Sequence, residues 1–106
     1  MTDICAVRFT APDAEWLGSF VRSLAGDRLC AVGHVSPVGS IYMWQDEVHD
    51  TGEALATLST VPSRAPEIIA RTKCEHPYVV PSIITMPIND ATPDYRSWVI
   101  EQSSPA

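Results

Sequence analysis

The sequence predicts an α+β fold: a ferredoxin-like βαββαβ sandwich with an extra C-terminal helix. Two observations carry this. Short apolar runs rich in β-formers occur four times, and two stretches with apolar residues at helical spacing separate the first run from the second and the third from the fourth. The length of 106 residues fits one domain, spanning 1–106 with a polar tail from about 103.

The first strand is expected over 4–9, where Ile4-Cys5-Ala6-Val7-Arg8-Phe9 is short and apolar. Thr10 is placed to cap a helix, with Pro12 in its opening turn and Asp13 supplying a first-turn carboxylate. Leu17, Phe20, Val21 and Leu24 then fall at i, i+3, i+4 and i+7, one face of a helix that ends near Gly26, and Trp16 widens that face. Residues 29–35 read as a strand interrupted at Ser36-Pro37, because proline has no N–H for a central ladder position. Pairing resumes at Val38 or Gly39 and runs to Trp44. A polar turn, Gln45-Asp46-Glu47, follows, and the return strand occupies 53–58. Pro62-Ser63 opens a second helix with Ala65, Ile68, Ile69 and Thr72 as its stripe, closed by His76-Pro77-Tyr78. Ile83-Ile84-Thr85-Met86 makes the fourth strand. Thr92-Pro93-Asp94 opens a last helix with Tyr95, Trp98 and Val99 on one side, before Ser103-Ser104-Pro105-Ala106. Two helices cover one sheet face, so the other needs the terminal helix or a partner subunit.

Composition excludes several function classes. Thirteen Asp and Glu against seven Lys and Arg give a net charge of −6, with no basic cluster to follow a phosphate backbone, so no nucleic-acid partner is expected. No apolar run reaches the roughly 20 residues of a membrane span, and no membrane partner is expected. The acidic start Met1-Thr2-Asp3 lacks the pattern of a signal peptide. Cys5, Cys30 and Cys74 are odd in number and at no metal-knuckle spacing, which points to reduced thiols and a cytoplasmic location. No phosphate-binding glycine loop or nucleophile elbow is present.

Four stations resemble the CutA divalent-cation-tolerance family along nearly the whole chain. They are Thr10-Ala11-Pro12-Asp13, Ser40-Ile41-Tyr42-Met43-Trp44, His76-Pro77-Tyr78-Val79-Val80-Pro81 and Asp94-Tyr95-Arg96-Ser97-Trp98. The resemblance implies a ferredoxin-like subunit in a tight homotrimer similar to PII signalling proteins. It implies a hairpin around Tyr42 and Trp44 that reaches a neighbouring subunit, and a site in the cleft between subunits. Copper and other divalent metals, signalling and membrane-protein assembly have been proposed for the family. The chain departs from the pattern at Gln45 and Ser82, where the family usually has Glu, and at Ser59, where Lys is common. The strand Cys falls on Ala31, with Cys30 displaced by one residue, and such a shift turns a strand side chain to the opposite face.

The candidate ligand cleft comprises Tyr42, Trp44, Ser59, His76, Tyr78, Ser82 and Trp98. Tyr42 and Trp44 lie two apart and share a sheet face, as a cleft wall or as core and interface packing. His76, just past a helix end, is placed for the last carbonyls or for proton transfer. Asp46 and His49, in the run Asp46-Glu47-Val48-His49-Asp50, are the candidate ligands for a weakly bound divalent metal ion, and a solvated turn is the competing role. No other cofactor is expected.

Two functional readings follow. One is a CutA-like trimeric protein responsive to a ligand or divalent metal. The other is an enzyme or accessory of small-molecule metabolism that uses the intersubunit cleft, stripped of its usual charges, for a neutral organic ligand. In that case His76 and Tyr78 are the catalytic candidates, one moving a proton and the other donating to an oxyanion.

Overall fold

A computed structural model of the chain describes residues 3–104; Met1 and Thr2 of the acidic start, and Pro105 and Ala106 of the expected tail, lie outside the described residues. The elements run β1 (Cys5–Ala11), α1 (Ala14–Gly26), β2 (Val32–Trp44), β3 (Glu47–Thr60), α2 (Ala65–Glu75), β4 (Ile83–Pro87) and α3 (Pro93–Gln102), with a 3-10 turn at Pro62–Arg64 leading into α2. The sheet order is β2-β3-β1-β4, with every neighbouring pair antiparallel. This is the ferredoxin-like arrangement with its additional helix.

Strand alternation sorts the side chains into two layers. Val7 faces Leu58 and Phe9 faces Ala56 across β1 and β3, and these residues are buried against Leu17, Phe20 and Leu24 of α1 and Ile68 of α2. Each large side chain buried there contributes about 1.5–3 kcal/mol. Gly33 permits the close approach of α1 to β2: a Cβ there would collide with Val21 Cγ1 and come within 2.7 Å of Leu58 Cδ2. On the opposite face Ser59 receives a hydrogen bond from Tyr95 Oη at 3.0 Å, which sets α3 over one end of that face. Arg71 ties α2 to the end of α1 through Asp27 at 2.8 Å and Ser23 at 3.1 Å.

Several boundaries differ from the sequence reading. Thr10 stays in β1, which pairs with β3 as far as Ala11, and Asp13 is the helix cap, its Oδ1 accepting the Glu15 N–H at 2.9 Å. Leu29 and Cys30 are buried but precede β2. Arg28 takes a left-handed φ of 61°. Its N–H and that of Leu29 then return to the carbonyls of Ala25 and Leu24, closing α1 and delaying the strand. Pro37 does not interrupt β2, because β2 is an edge strand that pairs on one side only. β3 begins at Glu47 rather than near 53, and the turn contains two residues, Gln45 and Asp46, both with positive φ (52° and 65°). Such a turn matches the twist of the strands it joins.

The last helix buries Val99, while Tyr95 and Trp98 remain partly exposed. Ser103, expected in a polar tail, is fully buried. Arg64 Nε donates to its carbonyl at 2.9 Å, and Arg28 donates to the carbonyls of Ser104 and Glu101 at 2.7 and 3.0 Å. The Ser103 and Ser104 carbonyls, past the helix end, have no intrahelical donors, and the two guanidinium groups supply them, while Glu101 also accepts the Ser104 main-chain N–H at 3.3 Å.

Candidate functional site

Beyond the pairing of Ala11 with Ala54, the β2–β3 hairpin continues with no third strand among the described residues. Register puts Ser40, Tyr42 and Trp44 of β2, Glu53 of β3 and Thr10 of β1 on the face away from α1 and α2. The segment over 77–82, stiffened by Pro77 and Pro81, runs beside them and closes a groove of about 790 Å³. Tyr42, Trp44, Val79 and Val80 give it apolar walls, and Glu53, Tyr78 and Ser82 give it polar groups.

Tyr78 Oη donates to Glu53 Oε2 at 2.9 Å, strapping the segment to the hairpin. Burial of the phenol, the bond to Glu53, and the negative charges of Glu53 and of ionised Tyr42 push the Tyr78 pKa up to about 12. Tyr78 is therefore a hydrogen-bonding group at neutral pH rather than a proton carrier.

His76 lies beneath this segment, only 7% exposed, and does not line the groove. Its Nδ1 accepts the Tyr78 main-chain N–H at 3.0 Å, so the ring proton sits on Nε2, which donates to the Thr10 carbonyl at 2.6 Å. Trp16 meets the imidazole edge-on at 5.5 Å. Both ring nitrogens are committed to main chain, and neither is free to face a substrate.

Of the residues expected at a cleft, the fold brings together Tyr42, Trp44, Tyr78 and Ser82. Ser59 is buried beneath α3 with Tyr95, and Trp98 lies on α3 with its ring 5.9 Å from that of Tyr95. Neither joins the groove within one chain, because both belong to the other end of the same sheet face. Glu53 was missed as a site residue, and with it the groove is not stripped of charge. As the first residue of a half-buried return strand it reads as a solvated edge, and only the fold sets it against Tyr78.

The hairpin tip holds Asp46 and His49. Asp46 occupies the left-handed turn, while His49 Nε2 donates to the Trp44 carbonyl at 3.2 Å and its ring stacks on Tyr42 at 5.5 Å. Asp50 points to the opposite face from His49 by strand alternation. Among the described residues no three His, Cys, Asp or Glu side chains gather closely enough to hold a metal ion. The donors present do not form a closed metal site. Cys5 and Cys30 are buried, and burial pushes both thiols up, Cys30 to about 11. Cys74 is exposed. No described helix is long and apolar enough to cross a membrane.

Comparison with known proteins decides the family. The model of the CutA1 divalent ion tolerance protein matches residues 5–102. The chain belongs to the CutA1 family. The divalent-cation tolerance protein CutA of Thermus thermophilus is 34% identical over 98 residues, covering 92% of this chain and 95% of that protein. The crystal structure of CutA1 from Ehrlichia chaffeensis superposes with a TM-score of 0.90 at 27% identity, covering 98% of each chain. A CutA from Archaeoglobus fulgidus, described as periplasmic, shares the CutA fold with a TM-score of 0.92 at 22% identity, covering 95% of this chain and 99% of that one. Membership of the CutA1 family supports a role in metal tolerance.

Proposed function

We propose that this protein is a non-catalytic homotrimeric binding protein, responsive to a small ligand or divalent ion, whose ligand site is the groove at the hairpin base. The observation that carries this reading is the contrast between the groove and His76. The groove offers aromatic walls with a carboxylate and hydroxyls, whereas the imidazole of His76, beneath the closing segment, has both nitrogens bonded to main chain. Such a site binds and orients, and His76 is not available to it for proton transfer.

Assembly into a trimer is supported by the exposed hairpin. Ile41, Met43 and Val48 are 74%, 64% and 69% exposed on one face, with Trp44 half-exposed on the other. A two-stranded ribbon is marginal in water without cover, and copies of the same chain are the common cover in symmetric oligomers. A divalent ion would be held loosely at the hairpin tip by Asp46 and the remaining nitrogen of His49. The free thiols, Cys74 among them exposed, favour a reducing, cytoplasmic setting. Sedimentation velocity at micromolar concentration tests the reading: a trimer is expected, and a monomer overturns it.

A further inference from the structure

We propose that the groove takes a primary ammonium carried on an apolar body, with the charged head at Glu53 and the body along Tyr42 and Trp44. This rests on reading the groove as a binding site and assigns the chemical class of what it binds.

Among the described residues Glu53 is the only charged one lining the groove, and no Lys or Arg lines it. Nor does any Lys or Arg occur from Gly39 to Ser63, so the whole hairpin is free of positive charge. The chain as a whole carries −6. An anion entering here would meet an uncompensated carboxylate, and a neutral ligand would leave that carboxylate without a counter-charge.

At the Glu53 end of the groove the hydrogen-bonding capacity is equally one-sided. Tyr78 Oη uses its proton on Glu53 Oε2, which leaves the phenolic oxygen as an acceptor. Glu53 Oε1 has no hydrogen-bond partner among the described residues. Two acceptors therefore stand side by side with no donor between them. A primary ammonium supplies three donors and the missing charge. A hydrated divalent ion fits less well, because Glu53 has no second carboxylate or imidazole beside it in the groove.

Away from Glu53 the groove becomes aromatic and aliphatic. Tyr42 and Trp44 are 39% and 47% exposed, and Val79 is 90% exposed across from them. Aromatic faces attract a cation and also receive an apolar chain. The volume of about 790 Å³ suits a metabolite-sized amine.

The test uses the full chain and three probes of one shape: phenethylammonium, the neutral 2-phenylethanol and the anion 3-phenylpropanoate. Binding is followed by calorimetry, with Trp fluorescence as a second signal and sedimentation run on the same samples. Phenethylammonium should bind saturably, roughly tenfold to a hundredfold tighter than the alcohol, as a charge-assisted hydrogen bond implies. The carboxylate should not bind. Glu53→Gln keeps the shape and should reduce ammonium affinity to that of the alcohol. Tyr78→Phe removes the second acceptor and should weaken ammonium binding alone. Thermal melts confirm that both variants fold. Equal affinity for ammonium and alcohol, or undiminished ammonium binding by folded Glu53→Gln, overturns the proposal. A trimer that binds none of the probes overturns the ligand class and leaves the trimer intact. A monomer that binds ammonium through Glu53 overturns the trimer and upholds the ligand class.

Discussion

His76 Nδ1 accepts the main-chain N–H of Tyr78 at 3.0 Å, while the other ring nitrogen donates to the Thr10 carbonyl at 2.6 Å. One imidazole thus fixes both the end of β1 and the start of the segment that closes the groove. His76→Ala would remove two part-buried hydrogen bonds, to the Tyr78 N–H and the Thr10 carbonyl, each worth about 0.5–1.5 kcal/mol. The urea midpoint should fall accordingly. His76→Gln, which offers both a donor and an acceptor, should recover part of the loss. An alanine variant as stable as the parent would show that the imidazole holds nothing.

What was legible in the sequence followed from periodicity. The stripe Leu17, Phe20, Val21 and Leu24 is buried as expected, because a helix against a sheet must face its apolar side inward. The hairpin was legible in kind but not in length. His49-Asp50-Thr51-Gly52-Glu53 has no apolar alternation, and it forms a strand because β2 lies opposite with a complete ladder. The aromatic half of the groove showed in Tyr42, Trp44 and Tyr78. Its carboxylate did not, since nothing local to Glu53 tells that a residue 25 positions later will bond to it. His76 was legible as a residue at a helix end, but its partners are Thr10 and Tyr78 rather than the helix carbonyls.

Tyr78 gives an alkaline signature. Its phenol holds its proton to about 12 in the folded chain, against about 10 for an ordinary tyrosine. Between these values the folded protein binds more protons than the unfolded one. This contribution to stability is therefore fully present below pH 10 and is lost as the pH rises towards 12. A tyrosinate absorbance titration should show a late phase near pH 12 that Tyr78→Phe removes. Glu53→Gln should move that phase down, though not to the ordinary value, because burial of the phenol remains. A Tyr78 phase already complete near pH 10 in the parent would refute the strap to Glu53.

The three thiols should separate by accessibility. Cys5 and Cys30 are buried with raised pKa values, Cys30 to about 11, and the thiolate is the reactive form. A maleimide or disulfide reagent at neutral pH should therefore label Cys74 in native protein and reach the other two only in denaturant. Cys74→Ser should abolish the fast phase. Rapid labelling of Cys30 without denaturant would mean that the junction between α1 and β2 opens readily.

Trp44 tests the hairpin as an assembly surface. It is 47% exposed near the tip, on a ribbon that none of the described helices covers. Truncating a tryptophan buried at an interface commonly costs about 2–4 kcal/mol. Trp44→Ala should accordingly shift sedimentation towards smaller species at low micromolar concentration. The isolated subunit should keep its fold, because Trp44 is absent from the core around Phe9, Leu17 and Leu58. An unchanged oligomer would place the contact elsewhere on the hairpin, with Ile41, Met43 and Val48 on the other face as the next residues to replace.

The turn at the hairpin tip is strained by its own residues. Gln45 and Asp46 both adopt left-handed backbone (φ 52° and 65°), a conformation that costs an L-residue about 1–2 kcal/mol and glycine almost nothing. Asn-Gly is the pair this two-residue turn prefers. Asp46→Gly should raise the melting temperature, with the gain trimmed by the extra freedom glycine brings to the unfolded chain. The same change removes the carboxylate proposed to share a loose divalent ion with His49. Calorimetric titration with copper or zinc should therefore weaken as stability rises, and His49→Gln should weaken it again without the gain in stability. Unchanged metal affinity in a stabilised Asp46→Gly protein would remove the hairpin tip as the place where a divalent ion is held.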